Sequence, residues 1–218
     1  MYFIIAGLSS TGKNLAELLV REGNEVLVLD SNEARCAEWA TDSDAMVVVG
    51  DATQKSALEE ARVKNADALM ALTNDDSDNL MICMTAREMG ARKVIALIND
   101  VAHVETFKQA GIGFQVKPYD VVAKHICQMI LQPYVKHFLP FERAEIFEIE
   151  IEEGMKCVGK RIPEMGNLNG MKILVIERQG KYLSEDVTIE PNDWLTLIVG
   201  QKSAKKGVEF MNKCFTKG

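Results

Sequence analysis

The stretch Tyr2-Phe3-Ile4-Ile5-Ala6-Gly7-Leu8-Ser9-Ser10-Thr11-Gly12-Lys13 opens the chain and decides its fold. Tyr2–Ala6 is a short apolar run of aromatic and β-branched residues, the pattern of a strand covered on both faces. The segment after it carries Leu15, Leu18 and Leu19 at helical spacing and stops at Gly23. Gly7 and Gly12 take the first and third places of the G-x-G-x-x-G turn that joins a strand to a helix in dinucleotide-binding units. Ser9 stands in the middle place, where glycine normally lets backbone approach a pyrophosphate. The second strand, Val26–Asp30, ends on an acid 18 residues after Gly12, where a carboxylate accepts ribose hydroxyls. A serine hydroxyl at position 9 offers a hydrogen bond to phosphate, and the helix start supplies N–H groups and a positive dipole end.

Working outward, the strand–helix alternation continues. Ala45–Val49, Ala68–Leu72, Val94–Ile98 and Ile112–Val116 read as strands. Helices are expected from a Ser31-Asn32-Glu33 cap onward and over Gln54–Ala61, Leu80–Met89 and His103–Ala110. Six such strands with intervening helices predict an α/β fold, a Rossmann-like doubly wound parallel sheet with right-handed crossovers. At the carboxyl ends of its strands lie Gly50-Asp51 and Thr73-Asn74, the edge where ligands bind in open sheets. Asp51 is read either as a ligand contact or as a helix N-cap. Asp75, Asp76 and Asp78 are read as a solvated helix start rather than a cation site, and no metal is expected.

After Pro118 a helix over Asp120–Leu131 is predicted, then a short helical piece, Tyr134–Phe138, between Pro133 and Pro140. This connector is apolar and is expected to pack on something, such as a second copy of the chain. Beyond it the pattern changes. Ile146–Ile151 alternates apolar and charged residues; Met171–Ile176 and Trp194–Val199 are further strands, Gly180–Leu183 turns into a short one, and Ser203–Cys214 is a closing helix. A small α+β lobe is expected, giving a division into 1–118, a crossover and linker over 119–141, and 142–218.

Composition narrows the function. The 218 residues carry a net charge of −7, which argues against nonspecific nucleic-acid binding. Net charge is −6 up to Leu139 and −1 from Pro140 onward. No apolar run approaches the ~20 residues of a membrane span, and the start does not read as a secretory signal. Five dispersed cysteines and three histidines form no metal-ligand spacing and fit reduced thiols in a cytosolic protein. No catalytic set accompanies the turn, so the chain is not expected to be an enzyme. A nicotinamide-dependent oxidoreductase stays as the rival class, to be recognised by an acid or base at the sheet's carboxyl edge.

The ordered set of Gly7, Gly12, Asp30, Gly50-Asp51-Ala52-Thr53, Ala71-Leu72-Thr73 with Asp76 and Asn79, Ile98-Asn99-Asp100, Val158-Gly159-Lys160 and Asn192-Asp193-Trp194-Leu195 resembles the TrkA-type regulators of potassium uptake, the RCK or KTN domain family. The resemblance covers essentially the whole chain. It implies a regulatory (gating) subunit of a potassium channel or transporter, cytoplasmic and held at the inner face of the membrane by its partner. It implies a homodimer assembling to a ring, an octamer, with the helix after the sixth strand crossing between copies. A hetero-ring with a related subunit, or an assembly subunit that binds no nucleotide, stays open. Carried across, the nucleotide site comprises Gly7, Ser9, Ser10, Gly12, Asp30, Asp51, Thr73 and Asn74. Two positions depart from the family: Ser9 replaces its middle glycine, and Ser10 stands where many members have an arginine on the terminal phosphates. The resemblance therefore leaves NAD(H), ATP, ADP, AMP, another adenosine ligand or an empty pocket open.

Overall fold

The computed structural model describes residues 1–141, 143–165, 168, 170–184 and 186–217. Glu142 and Gly218, the limits expected for the second lobe, lie outside them. The chain forms two compact units, Met1–Asp120 and Val121–Gly218.

The first unit alternates strands and helices: β1 (Tyr2–Ala6), α1 (Ser10–Arg21), β2 (Glu25–Asp30), α2 (Glu33–Ala40), β3 (Met46–Val49), α3 (Lys55–Glu60), β4 (Ala68–Ala71), α4 (Asp76–Glu88), β5 (Val94–Leu97), α5 (Val104–Gln109) and β6 (Phe114–Val116). All neighbouring strands are parallel, in the order β3-β2-β1-β4-β5-β6. The order reverses direction between β1 and β4, which puts the switch point of the sheet beside Gly7. Because side chains alternate along a strand and both faces are covered, each strand feeds two cores. Ile4, Leu27, Leu29, Leu69 and Ala71 pack with Leu58, Ile82 and Phe107. Ile5, Val28, Met70 and Leu72 pack on the other face with Ala16, Cys36 and Trp39. Leu8, which follows Gly7, belongs to this second core and pins the turn down.

The α4 helix begins earlier than its apolar periodicity suggests. Asp75 caps it by accepting the Ser77 and Asp78 N–H groups at 2.7 and 3.0 Å, so the helix starts at Asp76 rather than Leu80.

The helix α6 (Pro118–Leu131) has no buried residue among its positions, although its apolar content is high. Val122, Ile126, Met129, Ile130 and Leu131 are all more than half exposed. In the second unit β7 (Val135–Pro140), β8 (Ala144–Glu150), β9 (Met171–Arg178), β10 (Lys181–Leu183) and β11 (Trp194–Gly200) form an antiparallel sheet in the order β10-β9-β11-β8-β7. The helix α7 (Ala204–Cys214) places Phe210, Met211 and the following Phe215 on the core of Phe147, Ile149, Leu195 and Leu197.

The segment Tyr134–Phe138 is not helical. Tyr134 lies in a turn and Val135–Phe138 belong to β7, where Val135 and Phe138 are buried while Lys136 and His137 face out. Pro140 is compatible with this because β7 is the edge strand, bonded on one side only. Tyr134, Val135 and Phe138 of the connector thus pack in the core of their own unit, while Leu139 stays 58% exposed.

Candidate nucleotide site

Gly7 ends β1 with φ +109°, a conformation that favours glycine, and a Cβ there would lie 2.9 Å from the Thr73 amide nitrogen. A Cβ on Gly12 would lie 2.1 Å from the Gly7 carbonyl oxygen. The two glycines therefore let α1 pack against the end of β1 without a gap.

Ser9 is the N-cap of α1. Its hydroxyl accepts the Gly12 N–H at 3.2 Å and donates to the Leu72 carbonyl at 2.6 Å. That donor is spent inside the fold, tying the turn to the end of β4, so the hydroxyl is not aimed at a phosphate as the sequence suggested. What the turn offers an anion is the outward N–H groups of the first helical turn.

Asp30 is buried at the end of β2. One carboxylate oxygen accepts the Leu8 N–H at 2.7 Å; the other accepts the Asn32 N–H at 2.9 Å and pairs with the Arg35 guanidinium at 3.0 Å. Two oxygens have about four lone-pair positions between them, so capacity for a ligand hydroxyl is left. Asp51 is not the cap of α3, whose N-cap is Gln54. Its carboxylate instead closes the turn before it, accepting from the Thr53 N–H and hydroxyl at 2.9 and 2.7 Å; these bonds, the hydroxyl first, hold it below the usual carboxylate range.

At the end of β4, Asn79 is fully buried. Its amide donates to the Thr73 and Leu97 carbonyls, both at 3.0 Å, and its oxygen accepts the Thr73 N–H at 2.9 Å. Asp76, expected among solvated acids, is buried. It accepts the Asn99 and Asp100 N–H groups at 2.7 and 2.9 Å and pairs with His103 Nδ1 at 2.7 Å. Burial pushes its carboxyl up, but these hydrogen bonds outweigh burial and hold it down; the hydrogen bond to Asp76 in turn raises His103.

These elements border a cleft of about 410 Å³. Gly7, Ser9, Asp30, Asp51, Thr73 and Asn74 line it. Ser10 and Gly12 do not: Ser10 is exposed at the start of α1, and Gly12 is buried beneath the turn. The cleft also takes in Arg35, which the sequence did not single out, and Asp75 and Asp78, expected only as a solvated helix start. Arg35 was findable, since it lies in the first turn of the helix that follows Asp30. Four carboxylates and one guanidinium thus share the wall. Asp78 feels it: burial first, then Asp75 and Asp51, push its carboxyl up.

The family model of the TrkA-N domain matches residues 3–118, more than half of the chain. The chain belongs to the TrkA family. A Trk system potassium uptake protein TrkA homolog of Methanothermobacter thermautotrophicus is 31% identical over 210 residues, 94% of this chain and 97% of that protein. Among solved structures, the GsuK channel bound to NAD superposes with TM-score 0.67 at 20% identity. It covers 96% of this TrkA-family chain, which spans only 39% of the GsuK chain. The Kef C-terminal domain of Shewanella denitrificans, in AMP-bound form, gives TM-score 0.55 at 24% identity over 61% of this chain and 81% of that one. At these identities the structural matches speak for the fold.

Proposed function

We propose that this TrkA-family chain is a regulatory subunit of a potassium channel or transporter, and that it senses an adenine nucleotide of low charge in the cleft at the β1–α1 turn. The observation that carries the reading is the Gly7–Gly12 turn opening α1 beside the buried Asp30, at the sheet's switch point. Asp30 would hold ribose hydroxyls, and the first turn of α1 would face phosphate. Among the described residues the titratable groups that line the cleft are Asp30, Asp51, Asp75, Asp78 and Arg35. The oxidoreductase reading would need one of these carboxylates as acid or base, and Asp30 and Asp51 are already engaged by hydrogen bonds within the fold.

The wall of four carboxylates sets the preference among nucleotides. Each added phosphate meets that field with Arg35 as its sole cationic neighbour on the wall. NAD and AMP are therefore favoured over ADP, and ADP over ATP. Signal transfer follows as a population shift, in which the ligand contacts two arrangements of an assembly unequally and the favoured arrangement acts on the pore. The exposed apolar side of α6 supplies a surface for pairing with a second copy. No described helix is long and apolar enough to cross a membrane. The pore is assigned to a partner, with this chain at its cytoplasmic face.

Thermal unfolding with NAD, NADH, AMP, ADP and ATP tests the reading. A ligand that binds only the folded form adds about 2.7 kcal/mol at 100 times its Kd. Stabilisation by NAD or AMP, weaker with ATP, is expected, and Asp78→Asn should narrow the gap. No stabilisation by any nucleotide refutes the sensor; ATP as the strongest ligand refutes the charge ordering.

A further inference from the structure

We propose that the second unit carries a separate binding site for a phosphate monoester with an apolar or aromatic body. A cavity of about 510 Å³ opens between the segment after β8 and the end of α7. That volume is in the range of small-molecule pockets. Lys156, Lys160 and Lys213 line it, above a floor that includes Met165, Phe210 and Cys214. None of the three lysines takes part in an ion pair among the described residues. The acid on the wall, Glu164, accepts the Arg161 N–H at 3.0 Å.

The three lysines share the rim of this one cavity. Burial raises the Cys214 thiol, and Lys160, Lys213 and Lys156 each oppose that rise, so all three act on one sulfur. Lys213 alone has a local explanation, as a cation in the last turn of α7. Lys156 and Lys160 do not share it, since they come from another segment. That segment is fixed by backbone bonds on both sides. The Lys156 N–H donates to the Thr216 carbonyl at 3.2 Å; the Gly159 N–H donates to the Ile189 carbonyl, and the Ile189 N–H to the Lys160 carbonyl, both at 2.9 Å. Three lysines against the single carboxylate of Glu164, none of the three in an ion pair among the described residues, leave this cavity with a net positive field in a chain of net charge −7, which favours an anion.

The side-chain types select the anion. Lysine is a compact point charge, and three of them around one cavity suit a compact anion that carries more than one charge better than a singly charged carboxylate. A tetrahedral, doubly charged phosphate head fits three such charges. The Phe210 ring and the Met165 thioether give the rest of the molecule an apolar, adaptable surface. A soluble phosphomonoester and the headgroup of phosphatidic acid share this chemistry.

The full chain is treated with N-ethylmaleimide, and alkylation of Cys214 is followed by mass spectrometry, with the exposed Cys127 as internal control. Phenyl phosphate at ten times its Kd should slow Cys214 about tenfold and leave Cys127 unchanged. Lys160→Gln, at an exposed position, should weaken that protection severalfold, and added salt should do the same. Inorganic phosphate and benzyl alcohol, each carrying half of the proposed ligand, should protect only at much higher concentration. Protection by phosphatidylcholine vesicles containing phosphatidic acid, without protection by phenyl phosphate, assigns the lipid source. Failure of both probes overturns the proposal. So does equal potency of phenyl phosphate with either half-ligand, or full protection in Lys160→Gln.

Discussion

Asn79→Ala removes a fully buried amide that bonds the ends of two neighbouring strands. In its place the Thr73 N–H loses an acceptor at 2.9 Å and the Leu97 carbonyl loses a donor at 3.0 Å. The Thr73 carbonyl keeps a longer bond from the Asn99 amide at 3.4 Å, and the Thr73 hydroxyl can turn to the Asp75 carbonyl at 3.0 Å. Two backbone groups are thus left wanting, at about 1–3 kcal/mol each, so a total loss of about 2–6 kcal/mol is expected. The loss falls on the first unit. Trp39 lies in its core and Trp194 in the second unit, so urea unfolding followed by fluorescence in a Trp194→Phe background reads the first unit alone. The companion Asn79→Asp keeps one acceptor but turns the donor into an oxygen facing two carbonyls. That raises the new carboxyl's folded pKa above its unfolded value near ~4, so its stability deficit should be small at low pH and grow as pH rises through the folded pKa. A deficit below about 1 kcal/mol for the alanine variant, or one that is flat with pH for the aspartate variant, refutes the staple.

The Asp76–His103 pair gives a second pH signature. Asp76 is held low, so its contribution appears above its unfolded pKa near ~4; His103 is raised, so its contribution is full below ~6.5 and fades as pH climbs through its folded value. The difference in urea midpoint between wild type and His103→Gln should peak between about pH 4 and 6.5 and shrink by about pH 9. Gly12→Ala drives a methyl into the Gly7 carbonyl, and should cost about 1–3 kcal/mol in urea unfolding and abolish nucleotide-dependent stabilisation. Ile126→Asp with Ile130→Asp on exposed α6 should leave the fold, by circular dichroism, intact and convert any assembly seen by light scattering to monomer; an unchanged mass would remove α6 as the pairing surface.

The parallel sheet was legible because its strands are near-continuous apolar runs, a pattern that survives without knowledge of neighbours. Gly7, Gly12 and Asp30 were legible for a similar reason: their spacing is local. β7 was not, since Pro133 and Pro140 read as breakers and only the pairing with β8 reveals an edge position where a proline is harmless. Asn79 and Asp76 were quoted as parts of a pattern but not as buried groups. Their partners at Leu97, Asn99 and Asp100 lie some 18 to 24 residues away, and no periodicity marks such bonds. For Ser9 the sequence showed the place in the cleft but not the partner of its hydroxyl. Its place in a phosphate-binding pattern suggested a ligand, while the nearest acceptor was the chain itself.

That serine has a consequence for energy rather than shape. Together with Leu8 on Asp30 and Asn79 on Thr73 and Leu97, the Ser9 bridge to Leu72 laces the ends of β1, β2, β4 and β5 into one floor. A floor that is already ordered gives up little conformational entropy when a ligand lands on it. The free energy of binding is then available for displacement elsewhere, and a weak ligand can still do mechanical work on whatever this chain is coupled to.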